Sequence, residues 1–267
     1  MARQRKWPRT SARSAISALP PSISTSKNLP RLNRSNASPA SSKTSGHWSN
    51  PQEDLQMIYE MRTYTFAQGK LPVYLKLAET VGRPVRGNDY GINHGYWVAE
   101  FGQLNQVWHL WSYDSHAQRD ELRAALSRNE RWTNEYIPNI RGMLLRQDIR
   151  FLNMLNGPNK PTGEGNVYEL RIYRTHVGQA GPWANMFKEA FVTREKYSKN
   201  VFLATGEAPQ PNEVLHMWSY PDVNIRAATR ARLAQNPDWQ AFVSKGANTI
   251  VDMHSTLLLP TNYSSMK

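Results

Sequence analysis

The chain has no cysteine in its 267 residues. Disulfides, thiolate zinc sites, iron–sulfur ligation and cysteine nucleophiles are thereby excluded. Nor does any stretch approach the roughly 18 uninterrupted apolar residues of a membrane span, so none is predicted and the chain reads as soluble. Acidic residues are missing from one region: positions 1–50 hold nine Lys and Arg and no Asp or Glu. Positions 51–267 keep 24 basic against 21 acidic residues, so the formal net charge of +12 belongs mostly to the leader. Near charge balance in the remainder removes the main electrostatic support for a nucleic-acid partner. A Gly-rich phosphate loop, a nucleophile elbow, a glycosidase-like carboxylate pair and a His-x-x-x-His spacing are also lacking. No metal and no cofactor is predicted.

What is present suits a packed globular protein: 39% hydrophobic residues and nine Trp, in a length that allows two units of about 100 to 130 residues. Residues 1–56 are the exception. They are rich in Ser, Pro and Arg without hydrophobic periodicity, and disorder is the physical expectation. Three readings of this segment stand side by side. Its Arg- and Ser-rich, acid-free composition fits a mitochondrial transit peptide, although Pro8, Pro20, Pro21 and Pro30 interrupt the helix such a peptide needs. Alternatively, translation starts at Met57, because codons for Gln52-Glu53-Asp54 can spell a bacterial ribosome-binding sequence just upstream; this predicts a bacterial cytoplasmic protein. The third reading is a genuine disordered tail.

The strongest pattern is an internal repeat. Ile58-Tyr59-Glu60-Met61-Arg62-Thr63-Tyr64 returns as Val167-Tyr168-Glu169-Leu170-Arg171-Ile172-Tyr173 at an offset of 109. Asn105 to Tyr113 returns as Asn212 to Tyr220 at an offset of 107, and Arg119, Leu126, Asn129 and Trp132 keep that spacing to Arg226, Leu233, Asn236 and Trp239. The segment 153–166, rich in Gly, Pro and Asn, reads as a linker between modules 57–152 and 167–267.

Within each module the periodicity changes in a fixed order. Residues 58–65 alternate as a strand, and Gly69 with Pro72 open a helix carrying Val73, Leu75 and Leu77. Strands over 96–101 and 106–113 follow, the second strongly aromatic. Ser115 with Gln118 forms a capping-box pattern before a helix bearing Leu122 and Leu126. A helical turn near Trp132 leads to a last strand near 143–151. The order β-α-β-β-α-β is the ferredoxin-like split unit. Two helices cover one sheet face, and the other face, also aromatic, needs a cover. The predicted fold is therefore α+β, with two tandem ferredoxin-like modules packed sheet to sheet as an α+β barrel, within one chain or swapped between two.

The block Tyr59-Glu60-Met61-Arg62-Thr63-Tyr64, followed by Gly102-x-x-Asn105-x-Val107-x-His109-x-Trp111-x-Tyr113 and the stretch from Arg119 to Trp132, resembles the NIPSNAP domain. The resemblance covers nearly all of residues 57–267 in two copies. It implies the dimeric α+β barrel shared with small cofactor-free and haem-degrading monooxygenases. It also implies kinship with eukaryotic proteins associated with mitochondria and proposed to act in vesicle handling or as mitophagy signals. It implies no reaction, cofactor or catalytic residue. The second module lacks a glycine matching Gly102 and carries Pro209 and Pro211 before its third strand, which questions the geometry of that hairpin.

Alternation puts Glu60, Arg62 and Tyr64 on one face of the first strand, with Glu169, Arg171 and Tyr173 equivalent in the second module. Either Arg holds an anion while Tyr or Glu moves a proton, or the charges are paired scaffold. His109 and His216 are candidates for haem ligation or general-base work, against a bland role as hydrogen-bonded core histidines. Trp111, Tyr113, Trp218 and Tyr220 either wall a cleft for a flat ligand or form core. Asn93-His94-Gly95 reads as a turn. Two functions compete: a protein binding a small ligand or protein partner around the inter-sheet cleft, with self-association through the modules open to it, and a cofactor-free oxygenase or isomerase using His109 or His216 with Arg62 or Arg171.

Overall fold

The computed structural model describes residues 57–163 and 165–267; the three readings of residues 1–56 lie outside the described residues. The first repeat begins with β1 (Ile58–Phe66) and α1 (Leu71–Leu77), whose first turn takes Pro72, a position where the missing N–H costs nothing. A π turn at Ala78–Gly82 carries the helix into α2 (Arg83–Arg86). Then come β2 (Ile92–Phe101), β3 (Gln106–Tyr113), α3 (His116–Ser127), a second π turn at Trp132–Tyr136, α4 (Ile137–Arg141) and β4 (Leu144–Asn156). The second repeat runs β5 (Val167–Thr175), α5 (Ala180–Glu189), α6 (Phe191–Arg194), β6 (Lys199–Ala208), β7 (Glu213–Tyr220), α7 (Val223–Ala234), α8 (Pro237–Gly246) and β8 (Ile250–Pro260).

The Ser115 cap signal acts as read. Ser115 Oγ accepts from the Gln118 backbone N–H, and Gln118 Oε1 accepts in return from the Asp114 N–H. Asp222 caps α7 and Asn236 caps α8 in the same way, each satisfying a donor the helix itself leaves free.

Each repeat forms an antiparallel sheet, β4-β1-β3-β2 and β8-β5-β7-β6, and the edges then join: Val98 of β2 pairs with Leu259 of β8, and Met154 of β4 with Ala204 of β6. The eight strands close into one barrel within the chain. Facing sheets are expected from the sequence; their edges prove to be hydrogen-bonded as well, so among the described residues no edge of the eight strands is left unpaired. Met61, Trp97, Trp108, Leu110, Tyr168, Leu170, Phe202, Leu215 and Met217 fill the interior with side chains from both repeats, as an eight-stranded barrel of this size allows. A second apolar layer lies outside each sheet, under α1 and α4 in the first repeat and under α5, α6 and α8 in the second.

Three local expectations change. β4 continues through Asn156 because Leu152–Asn156 hydrogen-bond with β6, so the connecting segment starts at Gly157. Asn93-His94-Gly95 is not a turn but the start of β2, at a bulge. There the buried Asn93 amide donates to the Gly95 and Leu110 carbonyls, and Asn200 repeats the arrangement with Phe202 and Met217. Despite Pro209 and Pro211, the second hairpin keeps the register of the first: Thr205 faces Val214 as Val98 faces Val107. After β8 the chain folds back on the first repeat, where Thr261 N–H donates to the Tyr96 carbonyl and Ser264 Oγ accepts from Tyr96 N–H.

Candidate functional site

The sequence placed its candidates at the contact between sheets; the structure puts them on the opposite face. Met61, Trp108 and Leu110 take the barrel interior, so Glu60, Arg62 and Tyr64 of β1 and His109, Trp111 and Tyr113 of β3 alternate outward beneath the helices. Register brings Arg62 opposite His109 and Glu60 opposite Trp111, and likewise Arg171 opposite His216 and Glu169 opposite Trp218.

Charge in this layer is organised around one buried carboxylate per repeat. Glu169 receives Arg171 Nη1 and Arg226 Nη2, each at 2.7 Å, with Ser255 Oγ at 2.9 Å and the Arg230 guanidinium at 3.5 Å. Burial alone raises its pKa, but the hydrogen bond from Arg226 and the charges of Arg230 and Arg171 outweigh that and hold it at about 2. In the first repeat Glu60 meets Arg62 at 3.0 Å and also binds Arg119. Two further arginines escaped the sequence reading. Arg194 stacks its guanidinium 3.9 Å from the Trp218 ring centre and donates to Tyr220 Oη at 2.8 Å and to Ser198 Oγ. Arg86 does the same over Trp111 at 3.4 Å with Tyr113. Trp111, Tyr113, Trp218 and Tyr220 are thus the seats of buried guanidinium groups, a favourable cation–π geometry.

The histidines have a fixed protonation pattern. Trp218 Nε1 donates to His216 Nδ1 at 2.7 Å, and Trp111 Nε1 to His109 Nδ1 at 2.6 Å. Because an indole N–H only donates, each Nδ1 is the acceptor and the ring proton sits on Nε2. Burial pushes both imidazoles well below their ordinary pKa, assisted by Arg171 and Arg194 at His216 and by Arg62 and Arg86 at His109. They are neutral Nε2–H donors whose donor atoms have no hydrogen-bond partner among the described residues. A free lone pair for a general base or a metal is therefore absent from either ring, against the catalytic reading of these residues. Among the described residues no three His, Asp or Glu side chains gather as a metal site.

The repeats part company in the space beside the imidazole. In the second repeat a cavity of about 490 Å³ opens between the sheet and α5, α7 and α8, touching Arg171, Tyr173, His216 and Trp218. Arg194 and Arg230 also line it, and Trp183, Phe187, Trp239 and Phe242 form its apolar walls. In the first repeat phenol rings occupy that layer. Tyr96 stacks on His109 with centroids 4.6 Å apart, and Tyr64 meets it edge-on at 4.7 Å. The ring of Tyr136 lies so close to Gly82 that a Cβ there would come within 2.6 Å. At the matching offsets the second repeat has Leu203 for Tyr96, Val243 for Tyr136 and Phe191 for Gly82.

The family model NIPSNAP matches the chain twice, over residues 59–156 and 168–265. The chain belongs to the NIPSNAP family. Protein NipSnap homolog 3A of Homo sapiens is 30% identical over 223 residues, covering 81% of this chain and 89% of that protein. The NipSnap homolog of Dictyostelium discoideum is 27% identical, covering 76% of this chain and 87% of its own. A proposed monooxygenase from Lactobacillus acidophilus has a crystal structure similar at a TM-score of 0.57 over 78% of this chain and 98% of that one. At 12% identity this last likeness is one of fold alone. Within the NIPSNAP framework the first and second repeats differ in whether the sheet–helix layer is filled.

Proposed function

We propose that this NIPSNAP protein binds a small molecule in the sheet–helix cavity of its second repeat, and that the first repeat serves as its structural partner. One observation carries the reading: a cavity of about 490 Å³, within the range of small-ligand sites, with aromatic walls and a few convergent polar groups, Arg171, Arg194 and Arg230 among them. The barrel centre is packed with apolar side chains, and the opening of about 330 Å³ at Thr63, Trp108, Arg150 and Ile172 is walled largely by polar residues. The test copies the first repeat into the second. Val243→Tyr, matching Tyr136, should weaken binding of the neutral dye N-phenyl-1-naphthylamine at least about tenfold, since the added ring takes the dye's volume. Dye fluorescence reads the affinity, and a melting curve checks folding; a folded variant that binds the dye like the parent overturns the proposal.

The competing reading, a cofactor-free oxygenase or isomerase, draws support from fold likeness alone, because neither imidazole holds a free lone pair for proton abstraction. Self-association through the modules, part of the same proposal, engages outer helical surfaces, since each barrel strand already has two neighbours. No helix among the described residues is long and apolar enough to cross a membrane. The proposed location is cytoplasmic, the alternative being mitochondrial if residues 1–50 direct import. Fusing residues 1–56 to a fluorescent protein separates the two.

A further inference from the structure

The charge around the second-repeat cavity does not balance. Arg171, Arg194, Arg226 and Arg230 converge on a layer whose buried carboxylate is Glu169. Arg171 and Arg226 are committed to it by hydrogen bonds at 2.7 Å. Arg230 pairs with it more loosely, at 3.5 Å and without a hydrogen bond, and also lines the cavity. Arg194 is 2% exposed and has no carboxylate within ion-pair distance among the described residues; it leans on neutral hydroxyls and an indole face. Burial lowers its pKa, and Tyr220 with the more distant Glu169 charge offsets that only in part. The other acid at the cavity, Asp252, is engaged at the mouth by His254 at 2.8 Å and Arg174 at 3.4 Å. Arg194 and Arg230 both line the cavity.

The walls define the rest of the occupant. Phe187 and Phe242 lie near parallel, 23° apart with centroids at 5.3 Å, and Trp183 and Trp239 continue the same aromatic surface. Such walls favour a flat apolar body through offset and edge contacts. Planar guanidinium forks suit the two oxygens of one carboxylate, for which Arg is the matched partner.

We propose that the occupant is a planar, apolar monocarboxylate, its carboxylate seated against the Arg194 and Arg230 guanidinium groups that line the cavity. This rests on the ligand-binding reading above, and the experiment separates the two. Calorimetric titration of the full chain compares 2-naphthoate with 2-naphthamide, which has nearly the same shape and no charge. The acid should bind about ten- to a hundredfold more tightly, the scale of a hydrogen bond to a charged group. Arg230→Gln, a partly exposed position chosen so that folding survives, should reduce that preference to less than about threefold while leaving the amide unchanged. Arg123→Gln, the same change in the filled repeat, should alter neither affinity. Equal binding of acid and amide, with dye binding intact and lost in Val243→Tyr, overturns the carboxylate and leaves the cavity reading standing. Binding of neither compound nor dye overturns both. Tighter binding of 2-naphthyl phosphate than of 2-naphthoate replaces the carboxylate with a phosphomonoester, and an effect of Arg123→Gln equal to that of Arg230→Gln places the acid outside the cavity; either result overturns the proposal.

Discussion

In the first repeat Tyr136 reaches from the second helical segment to the bare face of Gly82; in the second repeat those two positions are Val243 and Phe191. Bulk has changed sides. Phe191 packs back on Trp218, with centroids 5.4 Å apart, while Val243, half exposed, leaves room under α8. Around this exchange the architecture is unchanged: the same Glu–Arg cluster, the same Trp-to-His hydrogen bond, the same stacked arginine and the same strand register recur in both repeats. The shared set therefore reads as what the fold requires, and the difference as what decides whether a ligand has room to reach it. The shared set should also respond alike to mutation, and the differing positions should not.

The largest effect should come from the carboxylates. Glu60→Gln and Glu169→Gln each leave several buried guanidinium groups without their anion and should cost about 3–5 kcal/mol, read by denaturant unfolding of the full chain. Similar losses are expected from both; a large loss in one repeat alone breaks the claim that the cluster is common scaffold. Next comes pH. Both buried imidazoles stay neutral in the folded chain while the unfolded chain protonates near 6.5, so stability is full above that pH and falls as pH drops below it. Glu169, held at about 2 against an ordinary 4.5, adds stability that is complete above pH 4.5 and is lost towards pH 2, about 3 kcal/mol in all. His109→Gln and His216→Gln should flatten the upper part of that profile equally. The smallest effect has opposite signs in the two repeats. Gly82→Ala forces a methyl against the Tyr136 ring and should cost about 1–3 kcal/mol. Gly181→Ala, with open space around it, should stabilise α5 by about 0.4–1 kcal/mol. Melting curves decide both.

Much of this was legible in the sequence. Strand alternation, Pro at helix starts and the Ser, Asp and Asn caps are local signals, and they gave the element order and the repeat. The face of the sheet was not legible, because both sides are aromatic: Trp108 points into the barrel while Trp111 points under the helices, and nothing in the alternation says which is which. Asn93 was misread as a single-copy turn residue, although Asn200 stands at the same 107-residue offset as the flanking strand. That offset also relates Arg123 to Arg230, on helices for which only the apolar positions were considered. Arg86 and Arg194 fall at an offset of 108, inside the stretch where the register slips from 109 to 107. The cavity was least visible of all, since it depends on how Val243 and Phe191 share a space that only tertiary packing defines.

Covalent joining of the two halves carries an evolutionary consequence. Two identical polypeptides assembling about a twofold axis must change both copies whenever one residue mutates, so a substitution that helps recognition in one half burdens its twin with the same loss of packing. Here a single gene specifies each half separately. One can keep its layer filled while its sibling opens space, without imposing the same loss of packing on both.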